Sequence, residues 1–314
     1  MKKHFVRAIK EGILFLTQHL SVYAIGRKKL RIVMYHGVDD IDFPVGVFES
    51  HLRFLTHHFE TFFATEIPQL LKNNFQTSSG KPPIVLTFDD GLRNNALIVA
   101  PLIKKYHAKA TFYLISGLLE GGQMMWNHEL FCRLSLLDDK DIARATTDLN
   151  FSDAPLQATK AYIEKAKKWP QARRLFLMDY LRREFGVQSY TEQMKQSYEI
   201  MSLQDAQNLP SCIEVGSHTA THPILTTVSD ETINYEVSTS KSQLEQLLGK
   251  PIKTFCYPNG DYTAYAVDLV KVCYDVAVTT QEGFVYAEDD LSQLKRVSSR
   301  VSLVDMSYRL LFPG

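Results

Sequence analysis

Apolar positions along the chain keep two rhythms. Short unbroken runs closed by a polar residue read as buried strands, and between them apolar residues recur three and four apart, as on one face of a helix. Arg31-Ile32-Val33-Met34-Tyr35 is the first run, ended by His36-Gly37. A loop with Pro44 leads to a helix striped by Phe48, Leu52, Leu55 and Phe59, and Phe62-Phe63-Ala64 predicts a short strand before a helix near Ile67 to Lys72. Pro82-Pro83 opens the run Ile84-Val85-Leu86, which ends in Thr87-Phe88-Asp89-Asp90-Gly91. Asp-Gly is also a hairpin turn signal. The spacing from Leu92 to Ala100 is helical, however, so a strand that ends in two acids enters a helix. Ala110 to Ile115 predicts the next strand.

From residue 118 to about 210 the rhythm breaks into a helical, strand-free stretch rich in Lys, Arg, Asp and Gln. It is too long for an ordinary strand–helix connection and predicts a helical insertion over the rim. Strands resume at Ile213-Glu214-Val215-Gly216-Ser217, Thr254 to Tyr257, Val276 to Val278 and the Val297 to Val301 region. Helices at Thr232 to Leu248 and Ala264 to Val272 separate them. Strand–helix alternation with seven or eight strands predicts a parallel α/β barrel.

The 314 residues suffice for a large core, and 45% are hydrophobic. Lys plus Arg equals Asp plus Glu at 35 each, so bulk charge points to no nucleic-acid partner. Cys132, Cys212, Cys256 and Cys273 form no Cys-x-x-Cys pair, which reads as a reduced, cytoplasmic-type chain. Residues 1–30 form a separate predicted element, an amphipathic helix with Phe5, Ile9, Ile13 and Leu16 on one face. Glu11, Gln18 and His19 break its apolar run short of a membrane span. Lys2, Lys3, Arg7 and Lys10 leave two readings: docking on the barrel, or a peripheral contact with an anionic membrane. Residues 31–314 are the predicted barrel.

Two adjacent carboxylates at a strand end repel unless a positive charge intervenes or one takes a proton. His218 and His222, in Gly216-Ser217-His218-Thr219-Ala220-Thr221-His222-Pro223, have the i, i+4 spacing that puts two imidazoles on one side of a helical turn. With ten histidines in the chain such a pair arises easily by chance, so position has to carry the argument. His36, Asp89-Asp90, His218 with His222, and Pro258-Asn259-Gly260 each begin where a predicted strand ends. Barrel enzymes build their sites at that rim. His128-Glu129 lacks the second histidine of a zinc-protease motif.

Thr87-Phe88-Asp89-Asp90-Gly91 and His218-Thr219-Ala220-Thr221-His222 resemble the first two motifs of the polysaccharide deacetylases, carbohydrate esterase family 4. Phe255-Cys256-Tyr257-Pro258-Asn259-Gly260 and Met34-Tyr35-His36-Gly37-Val38 are similar to the poly-N-acetylglucosamine deacetylase branch. The resemblance implies a distorted, incomplete (β/α) barrel and removal of acetyl groups from N-acetylhexosamines in a glycan or glycolipid. It implies one divalent metal on Asp90, His218 and His222, with zinc favoured and cobalt, nickel or manganese also suited to a mixed N/O site. Asp89 would be the general base, and Tyr257, Pro258 and Asn259 would lie against the substrate, with backbone amides there holding the oxyanion.

Departures from the family pattern matter equally. Cys256 and Asn259 stand where the commoner third motif has Arg and Tyr, and no histidine follows His222 to serve as the late acid. His36 is the candidate general acid, and Arg296, ahead of Arg300, is the candidate partner of the base. Trp126 is a candidate for the substrate rim. Two other readings stand beside this one. A carbohydrate-binding protein that has lost activity would not require Asp89. A two-histidine, one-carboxylate iron oxygenase would leave Asp89 unexplained.

Overall fold

The computed structural model describes residues 29–39, 43–149, 159–186 and 190–312. But for Lys29 and Leu30, the helix expected over residues 1–30 lies outside them, and so do both readings of it. The sheet contains eight parallel strands: β1 (Arg31–Tyr35), β2 (Glu60–Phe62), β3 (Pro83–Phe88), β4 (Ala110–Leu114), β5 (Ile213–Ser217), β6 (Thr254–Cys256), β7 (Val276–Glu282) and β8 (Leu294–Ser298). Their order is β1-β8-β7-β6-β5-β4-β3-β2, and β1 also pairs with β3, from Arg31 opposite Ile84 to Tyr35 opposite Phe88. Seven strands therefore close a ring, and β2 lies outside it on β3. At the β5–β6 seam, pairing is reduced to Ser217 opposite Phe255. That thin seam is the distortion in the barrel, and both of its strands end at the site described below.

Strand alternation sorts the apolar residues into two cores. Val33, Tyr35, Ile84, Leu86, Phe88, Phe112, Phe255 and Tyr257 pack outward, against helices. Ile32, Val85, Tyr113, Cys256, Val278 and Leu294 belong to a separate inner cluster. The first described helix, Val45–His58, buries Phe48, Leu52 and Leu55 on the outer layer. Each such side chain contributes about 1.5–3 kcal/mol. The strand expected at residues 62–64 forms at Glu60–Phe62 instead. Phe63 begins a turn in which its amide donates to Glu66 Oε2 at 2.7 Å. The Ala64 amide donates to Thr111 Oγ1 at 3.0 Å, and Ala64 and Ile67 then join the inner cluster. β8 likewise begins earlier than expected.

Two predicted helices contain wide π turns, Asn95–Val99 after β3 and Tyr235–Thr239 after β5. Such turns are frequent near functional sites. Between residues 118 and 210 the chain is helical as expected, with Trp126–Leu136, Asp139–Leu149, Thr159–Ala166, Gln171–Phe185, Glu192–Tyr198 and Leu203–Gln207. The insertion has its own core, including Leu130, Leu134, Tyr162, Trp169, Leu177 and Leu181. Its end is tied to the loop after β3: the Met201 amide donates to Gly91 O (2.9 Å) and the Arg93 amide to Glu199 O (2.8 Å). Cys132, Cys212, Cys256 and Cys273 are free thiols. No described helix is long and apolar enough to cross a membrane.

Candidate active site

The two carboxylates at the end of β3 go to different partners. Asp89 continues the inward side of the strand, where Arg296 reaches up from β8. Arg296 Nη1 and Nη2 each donate to one Asp89 oxygen at 2.7 Å, and Nη1 also donates to Thr87 Oγ1 at 3.1 Å. Arg296 is 0% and Asp89 2% exposed, so this bidentate pair is screened from water. Burial alone would raise the Asp89 carboxyl, but the Arg296 guanidinium overrides it and holds the group below the usual carboxylate range. Arg300 is exposed and donates to Ser299 O, away from this pair.

Asp90 turns to the histidines. His218 Nε2 lies 3.3 Å and His222 Nε2 3.4 Å from the same Asp90 Oδ1. His218 Nδ1 lies 2.7 Å from Cys256 O, a carbonyl that can only accept. Nδ1 therefore carries the proton, and the Nε2 of a neutral His218 presents its lone pair to a carboxylate oxygen. Two acceptors face each other stably only with a cation between them. Ligands on a tetrahedral ion at about 2.0–2.1 Å are spaced roughly 3.3–3.4 Å apart, which matches both contacts. The donor set fits a divalent metal.

Electrostatics agree with that fit. Burial would raise Asp90, but the His218 hydrogen bond and the nearby His36 and His222 bring it below the usual range. Burial and then His218 push His222 down to about 3, against the pull of Asp90, so its imidazole is neutral. Burial also opposes a charge on His218, yet Cys256 and Asp90 raise it well above its ordinary value. A metal ion between these atoms meets the same negative potential that otherwise draws a proton.

The expected helical turn does not carry the pair. Residues 218–222 form a loop with left-handed Thr219 (φ 68°) and His222 (φ 60°), and the two rings meet edge-on with centroids 4.8 Å apart. Asp90 (φ 72°) and Asn259 (φ 58°) share that backbone region. Four of the seven described non-glycine residues with positive φ thus lie at this one site, the pattern expected of strain held in place by surrounding structure. At Gly91 (φ 66°) an added Cβ would come within 2.9 Å of Leu114, so the turn after the two acids requires glycine.

His36, Asp89, Asp90, His218, His222, Asn259 and Thr280 line a cavity of about 450 Å³, and the insertion closes it with Met125, Asn127, His128 and Lys167. His36 is exposed there, at the end of β1. Three residues expected at the substrate surface do not line the cavity. Trp126 is absent from the lining; it packs on the core of the insertion, with Arg174 5.3 Å above its ring. Its neighbours on either side reach the cavity instead. Tyr257 is fully buried on the outer layer, where its hydroxyl donates to Ser292 O at 3.0 Å. Alternation along β6 sends Cys256 inward and Tyr257 outward, and the buried Pro258 likewise does not line the cavity.

Sequence reasoning missed Cys256, whose Sγ lies 3.3 Å from Arg296 Nη2, and whose thiol burial pushes up. Strand parity was the available signal, because Cys256 is two residues beyond inward-facing Thr254. It also missed Asn127, whose Oδ1 is buried without a hydrogen-bond partner among the described residues, and Lys167, paired to Glu164 at 2.7 Å. No motif marks either residue.

A parallel barrel with an aspartate–histidine centre at its carboxyl rim defines the class, and comparisons with known proteins define the family. The family model described as polysaccharide deacetylase matches residues 76–147 and 191–274, and the chain belongs to that family. The stretch between the matched segments, 148–190, lies wholly within the insertion. YxkH of Bacillus subtilis (strain 168), assigned to the polysaccharide deacetylases, is 32% identical over 91 residues. That match covers 28% of this chain and about a third (32%) of that relative. Among solved structures, the Streptococcus pyogenes deacetylase PplD in complex with acetate superposes with TM-score 0.60 at 20% identity, covering 91% of this chain and 99% of that one. IcaB from Ammonifex degensii gives TM-score 0.58 at 13% identity, covering 91% and 98%. At those identities the likeness concerns the fold.

Proposed function

We propose that the protein is a metal-dependent hydrolase that removes acetyl groups from N-acetylhexosamines in a glycan or glycolipid. The observation that carries this reading is the division of labour between adjacent acids: Asp89 bonded to Arg296, and Asp90 facing two imidazoles. A site for binding alone would need only the second. Family membership supports the same reading, and the deacetylase PplD shares the fold.

Asp90, His218 and His222 would hold one divalent ion, zinc by preference for a mixed N/O set. When bound, that ion supplies Lewis-acid polarisation of the acetamide carbonyl and acidifies a water. Asp89, kept ionised by Arg296, takes the proton of the attacking water. Within residues 257–261, the Tyr257, Gly260 and Asp261 amides donate inside the protein at 3.2, 2.9 and 3.3 Å, and proline has no N–H. The Asn259 amide, at the turn after β6, donates to the developing oxyanion. His36, exposed in the cavity, protonates the amine as the carbon–nitrogen bond breaks, giving acetate and a free amino sugar. Asn127, His128, Asn259 and Thr280 make a polar wall of the kind a hydroxyl-rich sugar needs, and Glu164 offsets the charge of Lys167.

The test is incubation of zinc-loaded full-length protein with N-acetylglucosamine oligomers. Acetate and free amine should appear in equal amounts and stop on chelation. No release, or release unchanged by chelator, would overturn the proposal.

A further inference from the structure

We infer that Glu236, which does not line the cavity, is a positioning residue that sets the metal affinity of the loop from His218 to His222. The inference rests on the metal-site reading above.

The loop leaves β5 and places its two imidazoles through a backbone that is left-handed at both Thr219 and His222. For threonine, branched at Cβ, that conformation is a genuine outlier and needs support. Support comes from two sides. The Thr219 and Ala220 carbonyls accept from the Ser116 (3.2 Å) and Gly117 (2.9 Å) amides, and a Cβ at Gly117 would stand 2.7 Å from Ala220 O. From the other side comes one carboxylate, on the π turn Tyr235–Thr239. Glu236 Oε2 accepts from the Ala220 and Thr221 amides, both at 2.8 Å, and Oε1 accepts from Thr221 Oγ1 at 2.6 Å. Glu236 is 2% exposed and makes no ion pair among the described residues. Its charge is met by loop N–H and O–H dipoles alone, so loop and carboxylate each satisfy the other.

The two ligands depend on this unequally. His218 is fixed independently, by its Nδ1 bond to Cys256 O and its amide bond to Leu114 O at 2.8 Å. His222 has no such anchor: its Nδ1 is buried and lacks a partner among the described residues. Metal-bound histidines ordinarily use that nitrogen to fix the ring. Here the ring is aimed by the backbone that carries it, through the His222 amide bond to Thr219 Oγ1 at 3.0 Å and the two peptides held by Glu236. Releasing those peptides lets His222 Nε2 drift from its place beside Asp90.

The test uses the full chain and Zn²⁺ alone. Glu236→Ala removes all three bonds. Glu236→Asp keeps the charge but withdraws the carboxylate by one methylene. Glu236→Gln keeps an oxygen for the two amides. Zn²⁺ dissociation constants come from competition with a chromophoric chelator, beside melting of the metal-free proteins and the visible spectrum of the Co²⁺ forms. Glu236→Ala and Glu236→Asp should weaken Zn²⁺ binding by roughly 10–100-fold and alter the Co²⁺ spectrum, with Glu236→Gln affected by less than about tenfold. If Glu236→Ala does not fold, Glu236→Asp decides. Zn²⁺ affinity within about twofold of wild type in Glu236→Asp overturns the inference, even with a lowered melting temperature. A wild-type chain that binds no Zn²⁺ overturns the metal-site reading and the inference together.

Discussion

Replacing Arg296 by methionine removes the guanidinium but fills most of its volume, and leaves Asp89 buried without its partner. Both groups are at most 2% exposed and share two 2.7 Å bonds, so solvent cannot take over the lost role. Stripping one partner from a buried pair costs about 3–5 kcal/mol. For a chain of this size that corresponds to a fall in melting temperature on the order of 5–8 °C. The pH dependence gives the sharper signature. In the wild type the depressed Asp89 value contributes stability that is present above the unfolded value of about 4 and is lost as pH falls through the folded one. In Arg296→Met, burial is opposed only by the lesser pulls of His218 and His36, and the folded value should rise above the unfolded one. Ionising Asp89 then costs stability, so the deficit is largest near neutral pH and shrinks as pH falls toward about 4. The same shift moves the acid limb of the activity profile to higher pH, since the base must be ionised. Arg296→Lys, with charge but no fork, should fall between. Melting of the metal-free variants between about pH 4 and 7, beside pH–rate profiles of the zinc-loaded ones, checks both arms. A wild-type acid limb together with an unchanged melting temperature would refute the reasoning.

Three further outcomes are expected. Asp89→Asn should lower kcat by about 10²–10⁴-fold while keeping its metal, because an amide cannot take the proton; metal loss on elemental analysis would instead make Asp89 a ligand. His36→Ala should lower kcat by roughly a hundredfold or more, spare metal content and flatten one limb of the pH–rate profile; near-normal turnover would hand the acid role to another group. Tyr257→Phe should cost about 1 kcal/mol of stability through the lost Ser292 bond and leave kcat/KM unchanged, and a large activity loss would return Tyr257 to the substrate surface.

The strands were legible because buried parallel strands are short apolar runs, and Arg31–Tyr35 and Ile213–Ser217 fall where that pattern puts them. The convergence of His36, Asp89, Asp90, His218 and His222 on one cavity was legible for a related reason: each follows a strand whose carboxyl end must point to the same rim. Strand parity pairs Cys256 with Thr254, but a run apolar on both faces does not say which face is inward. Tyr257 and Cys256 are neighbours, and only the register of β6 decides which faces in. The i, i+4 spacing of His218 and His222 suggested a helical turn, because left-handed threonine is a state held by Ser116, Gly117 and Glu236 from elsewhere in the fold. Trp126 was the candidate for the substrate rim, yet the insertion core took it, and Asn127 and His128 reached the cavity.

The central claim is that Asp90, His218 and His222 hold one ion on which amide hydrolysis depends. Metal-free protein titrated with Zn²⁺, with acetate release from N-acetylglucosamine oligomers followed at each step, tests it most directly. Activity should rise linearly to one equivalent per chain and then level, while Asp90→Asn, with an oxygen less able to bind a cation, should show neither the tight equivalent nor the turnover. Full activity in metal-free protein, or a wild-type titration curve in Asp90→Asn, would contradict the account.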